Sequence, residues 1–300
     1  MPQTIAFIGL GAMGAGMARC LARSGLSVRA YDIRPEAVQA FAEDTGAVAC
    51  RSSAHAAEGA DAAFVIVLNA DQAAEVVFGR EGLAQSLPTN APVVCMSTMS
   101  PARAVSLSQE AAARGLRWLD APVSGGTERA AQGTLTTMVG AEPADLEAMR
   151  PLLGAFSRDV FHLGPVGAGS TAKLVNQVLV YCNLAATAEA VTLCRKLGVD
   201  LQTIYDVIRT AVGTSTIFEM RVPKIIDGSY ASGGSLRIAL KDLGIVEETA
   251  RDLSLPMPMA AQATQLFRAT ASAGMLDGDD VSVVRLLERL AGLEITTDRR

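Results

Sequence analysis

A doubly wound, mostly parallel α/β sheet followed by an all-helical domain is the fold class that this 300-residue sequence predicts. Three observations carry it. Strand-like and helix-like segments alternate through the first half, a G-x-G-x-x-G turn joins the first strand to the first helix, and helical patterns dominate beyond Gly164. Residues 1–164 and 165–300 are accordingly read as two domains.

The first strand is the apolar run 4–8, Thr-Ile-Ala-Phe-Ile, followed by Gly9, Leu10, Gly11, Ala12, Met13 and Gly14 at the head of a helix carrying Met17 and Leu21. Gly9 permits the tight turn, Gly11 lets the backbone approach a pyrophosphate, and Gly14 allows close helix-to-strand packing, with the helix N-terminus aimed at the anion. A second strand over 26–32 ends in Asp32, 23 positions after Gly9, close to the offset of about 20 residues at which a carboxylate meets the ribose hydroxyls. Strand, glycines, helix, strand and acid in register predict a dinucleotide site for NAD, although Arg34 could also accommodate a phosphate if Asp32 turned away.

A helix over 35–44 leads to a short strand near Val48, and further strands are expected at 62–68, 92–97, 116–120, 134–140 and 158–163. Ligands of such sheets lie beyond the carboxyl ends of the strands. That rule selects Asn69, Ser97 and Thr98, and the run 120–126, Asp-Ala-Pro-Val-Ser-Gly-Gly, in which Ser124, Gly125 and Gly126 expose backbone N–H groups suited to a carboxylate.

A helical pattern covers 170–197, and others are expected near 201–212, 215–226, 238–253, 257–274 and 280–291, with a turn-like run over 227–234 and a polar tail at 294–300 expected to fray. On the first of these helices Lys173, Asn176, Val180, Asn183 and Thr187 share a face, a polar stripe on a helix otherwise built for burial. Burial disfavours an ammonium, and a lysine so placed suits a group that must give and take a proton near neutral pH. The active site is expected in the cleft between the two domains.

A net charge of −5 and 4% aromatic residues exclude a basic or stacking surface for nucleic acid. No apolar run is expected to reach the length that spans a bilayer, and the N-terminus enters a strand almost at once, which leaves no room for a signal peptide. A cytoplasmic protein with no membrane partner is expected. The five cysteines, Cys20, Cys50, Cys95, Cys182 and Cys194, lack C-x-x-C spacing, and with His55 and His162 they make no convincing metal site.

Four motifs in order, the glycine turn 7–17, the run 120–126, Gly167-Ala-Gly-Ser-Thr-Ala-Lys173-Leu-Val-Asn176 and Lys241-Asp242-Leu243, make the chain similar to the β-hydroxyacid dehydrogenases, the group containing 3-hydroxyisobutyrate dehydrogenase, tartronate semialdehyde reductase and, more distantly, 6-phosphogluconate dehydrogenase. The resemblance implies a Rossmann domain that binds NAD, a helical substrate and dimerisation domain, homodimers or homotetramers in which long helices pack across subunits, and no metal. It implies Lys173 as general acid/base, Ser124, Gly125 and Gly126 at the substrate carboxylate, Asn176 at a substrate oxygen, Lys241 at the cofactor or the carboxylate, and Asn69 and Ser97 near ribose and nicotinamide.

Rival readings are weaker. A short-chain dehydrogenase needs Tyr-x-x-x-Lys, and none of Tyr31, Tyr181, Tyr205 or Tyr230 has a lysine four residues on. Imine reductases and the non-catalytic cofactor-binding scaffolds of this fold lack the lysine. The absence of a proline after the strand at 62–68, together with the runs 204–208 and 218–221, resembles the L-threonate dehydrogenase branch, although that branch often carries histidine where this chain has Asn176. A short hydroxycarboxylate is the expected substrate, L-threonate first, with 3-hydroxyisobutyrate or tartronate semialdehyde as alternatives.

Overall fold

The computed structural model describes residues 3–230 and 234–293; residues 231–233 of the expected turn and the polar tail 294–300 lie outside them. The chain divides into two compact units, Met1–Lys173 and Leu174–Arg300.

In the first unit, β1 (Thr4–Ile8), β2 (Ser27–Tyr31), β3 (Val48–Ala49), β4 (Ala62–Val65), β5 (Pro92–Cys95) and β6 (Arg117–Asp120) form a parallel sheet in the order β3-β2-β1-β4-β5-β6. It is extended by β7 (Val123–Ser124) and β8 (Leu135–Gly140); β8 runs antiparallel to β6 and β7 and parallel to β9 (Ser157–Gly164). The helices of this unit are α1 (Gly14–Arg23), α2 (Pro35–Thr45), α3 (Ser53–Ala57), α4 (Ala70–Phe78), α5 (Pro101–Ala113), α6 (Gly126–Gln132) and α7 (Pro143–Leu153).

Side-chain alternation along the central strands shows why the sheet is covered twice. Ile5 and Phe7 of β1, Ala62 and Phe64 of β4, and Val94 of β5 enter one apolar cluster, while Ala6, Ile8, Ala63, Val65, Val93 and Cys95 enter another. Successive strand residues face opposite sides, so strands apolar at every position need a helical layer on both. Phe7 stacks on Phe64 with ring centroids 6.2 Å apart, and Phe64 meets Phe156 edge-on at 5.8 Å.

Two strands stop earlier than their apolar runs. The runs 62–68 and 92–97 predict longer strands, yet β4 ends at Val65 and β5 at Cys95. After β4, side chains take the backbone donors: Val67 N–H donates to Ser97 Oγ at 2.8 Å and Leu68 N–H to Gln72 Oε1 at 3.0 Å.

Helix α8 (Ala168–Lys196) begins in the first unit and continues into the second. There it is followed by α9 (Leu201–Ile208), α10 (Thr216–Asp227), α11 (Leu236–Asp252), α12 (Pro258–Thr270) and α13 (Ser282–Leu290). Asp200 and Ser215 cap α9 and α10 through the N–H groups of Thr203 and Phe218. The expected helix to 212 stops at Ile208, where the N–H groups of Thr210 and Ala211 bond only three residues back. The one expected to 274 gives way at Thr270 to a π turn, Ala271–Met275, containing Gly274 at φ 86°. The core of this unit gathers Tyr181, Leu184 and Val191 of α8 with Phe218, Val222, Leu243 and Phe267.

Two expectations about α8 need correction. By length and composition it does suffice to cross a membrane, with 29 residues and a mean hydropathy of 1.3 over its most apolar stretch; side chains that pack into a protein core and ones that face lipid pass the same test. Nor is every apolar face buried. Leu184, Ala188 and Val191 are in the core, whereas Val175, Leu179 and Leu193 are 59%, 58% and 61% exposed.

Candidate active site

Because β1, β2, β4, β5 and β6 are parallel, their carboxyl ends open on one edge of the sheet, and the sequence-selected residues of the first unit fall there. After β1, Gly9 adopts φ +101° and donates its N–H to Tyr31 O at 2.9 Å. A Cβ at Gly9 would run into the Ile66 carbonyl, and one at Gly14 into the carbonyl of Gly9 itself. Gly11 is different: a Cβ there meets nothing within 4 Å. Leu10, Ala12 and Met13 complete the turn into α1. Two glycines thus close the turn against the sheet while the third faces open space, a cradle that fits a dinucleotide pyrophosphate at the head of α1.

Asp32 follows β2. Its carboxylate accepts from Leu10 N–H at 2.7 Å and from Arg34 N–H at 2.9 Å, and Arg34 Nε lies 3.0 Å from the same oxygen as the latter. Burial alone would push this carboxyl upward; the Arg34 side chain and the backbone N–H groups of Arg34 and Leu10 outweigh it and hold the group below its ordinary value. Arg34 also reaches Leu10 O at 3.2 Å, so it rests across the turn rather than away from the acid.

Asn69, after β4, caps α4 by accepting from Gln72 N–H at 2.8 Å. Ser97, after β5, is buried and accepts from Val67 N–H, tying the two strand ends together. Thr98 stands beside it, half-buried.

Beyond β6 the sequence motif does something that its spacing did not reveal. Asp120 is buried, and its two carboxylate oxygens accept from Gly167 N–H at 2.9 Å and Ser170 N–H at 2.6 Å, fastening the start of α8 to the end of β6. Gly169 and Gly140 allow this approach, since a Cβ on either would overlap backbone or the Asp120 carboxyl. Burial pushes the Asp120 carboxyl up to about 6 against the pull of those N–H groups. A folded value above the unfolded one means that stability is greatest with the proton on and declines as pH rises through about 6; at neutral pH the charge is held at the cost of stability. One turn further along α8, Lys173 is buried and its Nζ donates to Val123 O at 2.9 Å. The structure thereby brings the lysine to the residue just before Ser124, Gly125 and Gly126, where the chain passes from β7 into α6 with Gly125 at φ 142° and Gly126 at φ 74°. These anchors explain why the first unit reaches to Lys173 rather than ending with β9.

In the second unit, Asn176 donates through Nδ2 to Gln177 Oε1 at 2.9 Å. Gln177 Nε2 in turn makes a short hydrogen bond to Asp242 Oδ2, which also accepts from Tyr181 OH at 3.3 Å. Lys241 Nζ lies 2.8 Å from Asp242 Oδ1. Gln177, Tyr181 and Asp242 are all buried. Burial and the Asp242 and Asp280 charges drive the Tyr181 phenol well above its ordinary value, so it stays a donor. Asn176 and Lys241, selected separately in the sequence, are two ends of one network. Its middle members escaped selection, although each lies beside a selected residue, Gln177 next to Asn176 and Asp242 next to Lys241.

Comparison with known proteins agrees over both units. Residues 4–164 match the family described as the NAD-binding domain of 6-phosphogluconate dehydrogenase, and residues 167–287 match the NAD-binding region of NADP-dependent 3-hydroxyisobutyrate dehydrogenase. An L-threonate dehydrogenase of Cupriavidus necator is 41% identical over 287 residues, 95% of this chain and 96% of that protein. A 2-(hydroxymethyl)glutarate dehydrogenase of Eubacterium barkeri is 36% identical over 97% of each chain. A crystal structure of 3-hydroxyisobutyrate dehydrogenase from Salmonella typhimurium superposes with a TM-score of 0.88 at 36% identity, covering 95% of this chain and 99% of that one. With two family matches in tandem and relatives alike over nearly their whole length, the chain belongs to the β-hydroxyacid dehydrogenases, NAD(P)-dependent enzymes related to 3-hydroxyisobutyrate dehydrogenase.

Proposed function

We propose that this enzyme oxidises a short, polyhydroxylated acid of about four carbons, L-threonate first, at a secondary hydroxyl. The observation that carries the proposal is the seat of Lys173, a buried lysine whose Nζ is held 2.9 Å from Val123 O, at the threshold of the Ser124–Gly125–Gly126 backbone. A carboxylate received by that backbone fixes one end of the substrate. Lys173 as neutral amine then takes the hydroxyl proton while the hydride leaves the same carbon, and as ammonium it returns the proton in the reverse direction. NAD supplies the hydride acceptor. Asn176, one helical turn beyond Lys173, holds the reacting oxygen or a neighbouring hydroxyl, and Lys241 reaches the cofactor or the carboxylate.

The relatives support the substrate class: the Cupriavidus necator protein is named an L-threonate dehydrogenase, and so are relatives in Escherichia coli at 36–37% identity. A site furnished with amide and hydroxyl groups discriminates against an analogue lacking the matching hydroxyl, because its buried polar groups are then left unpaired. Steady-state assays on L-threonate, D-erythronate, 3-hydroxyisobutyrate, glycerate and 6-phosphogluconate test it, with the highest kcat/KM expected for L-threonate. A maximum at 3-hydroxyisobutyrate, the substrate in the name of the Salmonella structure, would refute the four-carbon assignment.

NAD is expected to be preferred over NADP by at least about tenfold in kcat/KM, since a carboxylate at Asp32 accepts from ribose hydroxyls and repels a 2′-phosphate at close range. Asp32→Ser should narrow the ratio by releasing Arg34 toward phosphate. Equal kcat/KM for the two cofactors in the wild type would contradict the role given to Asp32.

The division of labour that follows is a nucleotide domain over 1–164 and a substrate and dimerisation domain over 165–300. Homodimers or homotetramers are proposed, supported by the exposed Val175, Leu179 and Leu193 along α8, a surface that a second copy would cover. A cytoplasmic location is proposed as well, with the five free cysteines as support.

A further inference from the structure

We propose that Gln177 is a positioning residue that fixes which way the Asn176 amide points, under the control of the Lys241–Asp242 pair, and so sets the enzyme's preference for a hydroxylated substrate. The inference rests on the reading of Asn176 as a substrate contact given above and extends it to residues that make no such contact.

A carboxylate only accepts, and the two ends of a side-chain amide differ only in that one accepts and the other donates. Asp242 is buried, with Lys241 Nζ 2.8 Å from Oδ1 and with Tyr181 OH donating to Oδ2. Gln177 must therefore present Nε2 to Asp242 Oδ2, as it does. That choice turns Gln177 Oε1 toward Asn176. Asn176 answers with Nδ2 at 2.9 Å, and its Oδ1 faces away from Gln177. Among the described residues no donor meets Asn176 Oδ1, so the end open to a ligand is an acceptor, suited to a hydroxyl that donates and unsuited to a methyl group. Without the buried carboxylate either orientation of each amide would serve, and the acceptor would face the ligand only part of the time. A buried network that admits only one pattern of donors and acceptors specifies geometry in this way.

The test measures kcat/KM for L-threonate against 3-hydroxyisobutyrate, as a ratio, in Gln177→Met, Asn176→Ala and the double variant. Gln177→Met keeps the length of the side chain and removes both links; it should lower the ratio by about tenfold, near the upper end of what one unmade hydrogen bond costs. In the Asn176→Ala background the same change should add less than about twofold, the signature of two residues acting through one contact. If Asn176→Ala lowers the ratio while Gln177→Met leaves it unchanged, or if the two effects are additive, the positioning role is overturned and the substrate reading stands. If Asn176→Ala itself leaves the ratio unchanged, the substrate reading falls, and the positioning role with it.

A second variant guards against a fold defect in the first. Gln177→Glu keeps shape and places a carboxyl between Asp242 and Asn176, where only its protonated form can both donate to Asp242 and accept from Asn176. The groups facing it are Lys241 and Asp242 of α11 and Tyr181 of α8, with Arg221 of α10 and Asp280 beyond them acting on Tyr181. The substrate ratio of this variant should be near wild type at low pH and fall as pH rises. A ratio independent of pH in Gln177→Glu would overturn the proposal, since a residue that merely packs gives no such profile.

Discussion

Lys173→Ala is expected to lower kcat by at least ~10²-fold while the affinity for NADH stays within about twofold, because general acid/base help contributes about 10²–10⁴ and the lysine acts on the proton rather than on the nucleotide. The structural loss is small beside this. The bond from Nζ to Val123 O contributes on the order of 1 kcal/mol to stability, so the variant should fold. Its α8 start remains fastened by Asp120 through Gly167 and Ser170, which do not depend on the lysine. Turnover measured across the pH range, together with NADH binding followed by fluorescence, checks the result. Near-wild-type kcat at any pH would show that another group, or water, moves the proton. A loss confined to KM would place Lys173 in binding alone.

How much of this was legible without the structure depends on the sequence distance over which each feature is made. The doubly wound sheet could be read because its signals are local: Ile5 and Phe7 alternate with Ala6 and Ile8 within one strand, and the glycines that follow lie within six residues of one another. The same locality brought out Lys173 and Asn176 on one turn of α8. What could not be read is the bonding that gives those residues their surroundings. Asp120 meets Gly167 and Ser170 across 47 and 50 positions, and Gln177 meets Asp242 across 65; nothing in local spacing favours those partners over others. Strand ends failed for a related reason. The apolar run 62–68 gives no sign that the donors of Val67 and Leu68 are taken by Ser97 and Gln72. The exposed Val175 and Leu179 mark a further limit, for composition shows that α8 is apolar without showing which face the chain itself covers.

Gly14→Ala is expected to abolish measurable NAD binding at concentrations that saturate the wild type and to lower Tm. The added Cβ would overlap the carbonyl of Gly9 and crowd the Ile66 side chain. A flexible side chain could move aside; a carbonyl belonging to the same turn cannot move without changing the turn. Gly9 has little freedom of its own, being held at φ +101° with its N–H on Tyr31 O and with the Ile66 carbonyl against its Cα. The strain must therefore appear as a shift of α1 away from β1 and β4. Overpacking of a tight interior costs roughly 1–3 kcal/mol, which a domain of this size can bear, so the protein should remain folded. Binding is less tolerant, because the backbone N–H groups at the head of α1 must converge on the pyrophosphate together. Gly11→Ala is the control. A Cβ at Gly11 meets no protein atom within 4 Å, so this variant should keep the wild-type Tm while weakening NAD binding by occupying the space that the pyrophosphate needs. Calorimetric titration with NAD and a thermal melt on both variants decide the matter. Loss of stability in Gly11→Ala, or wild-type affinity in Gly14→Ala, would mean that the turn bears on the cofactor differently from the way its geometry implies.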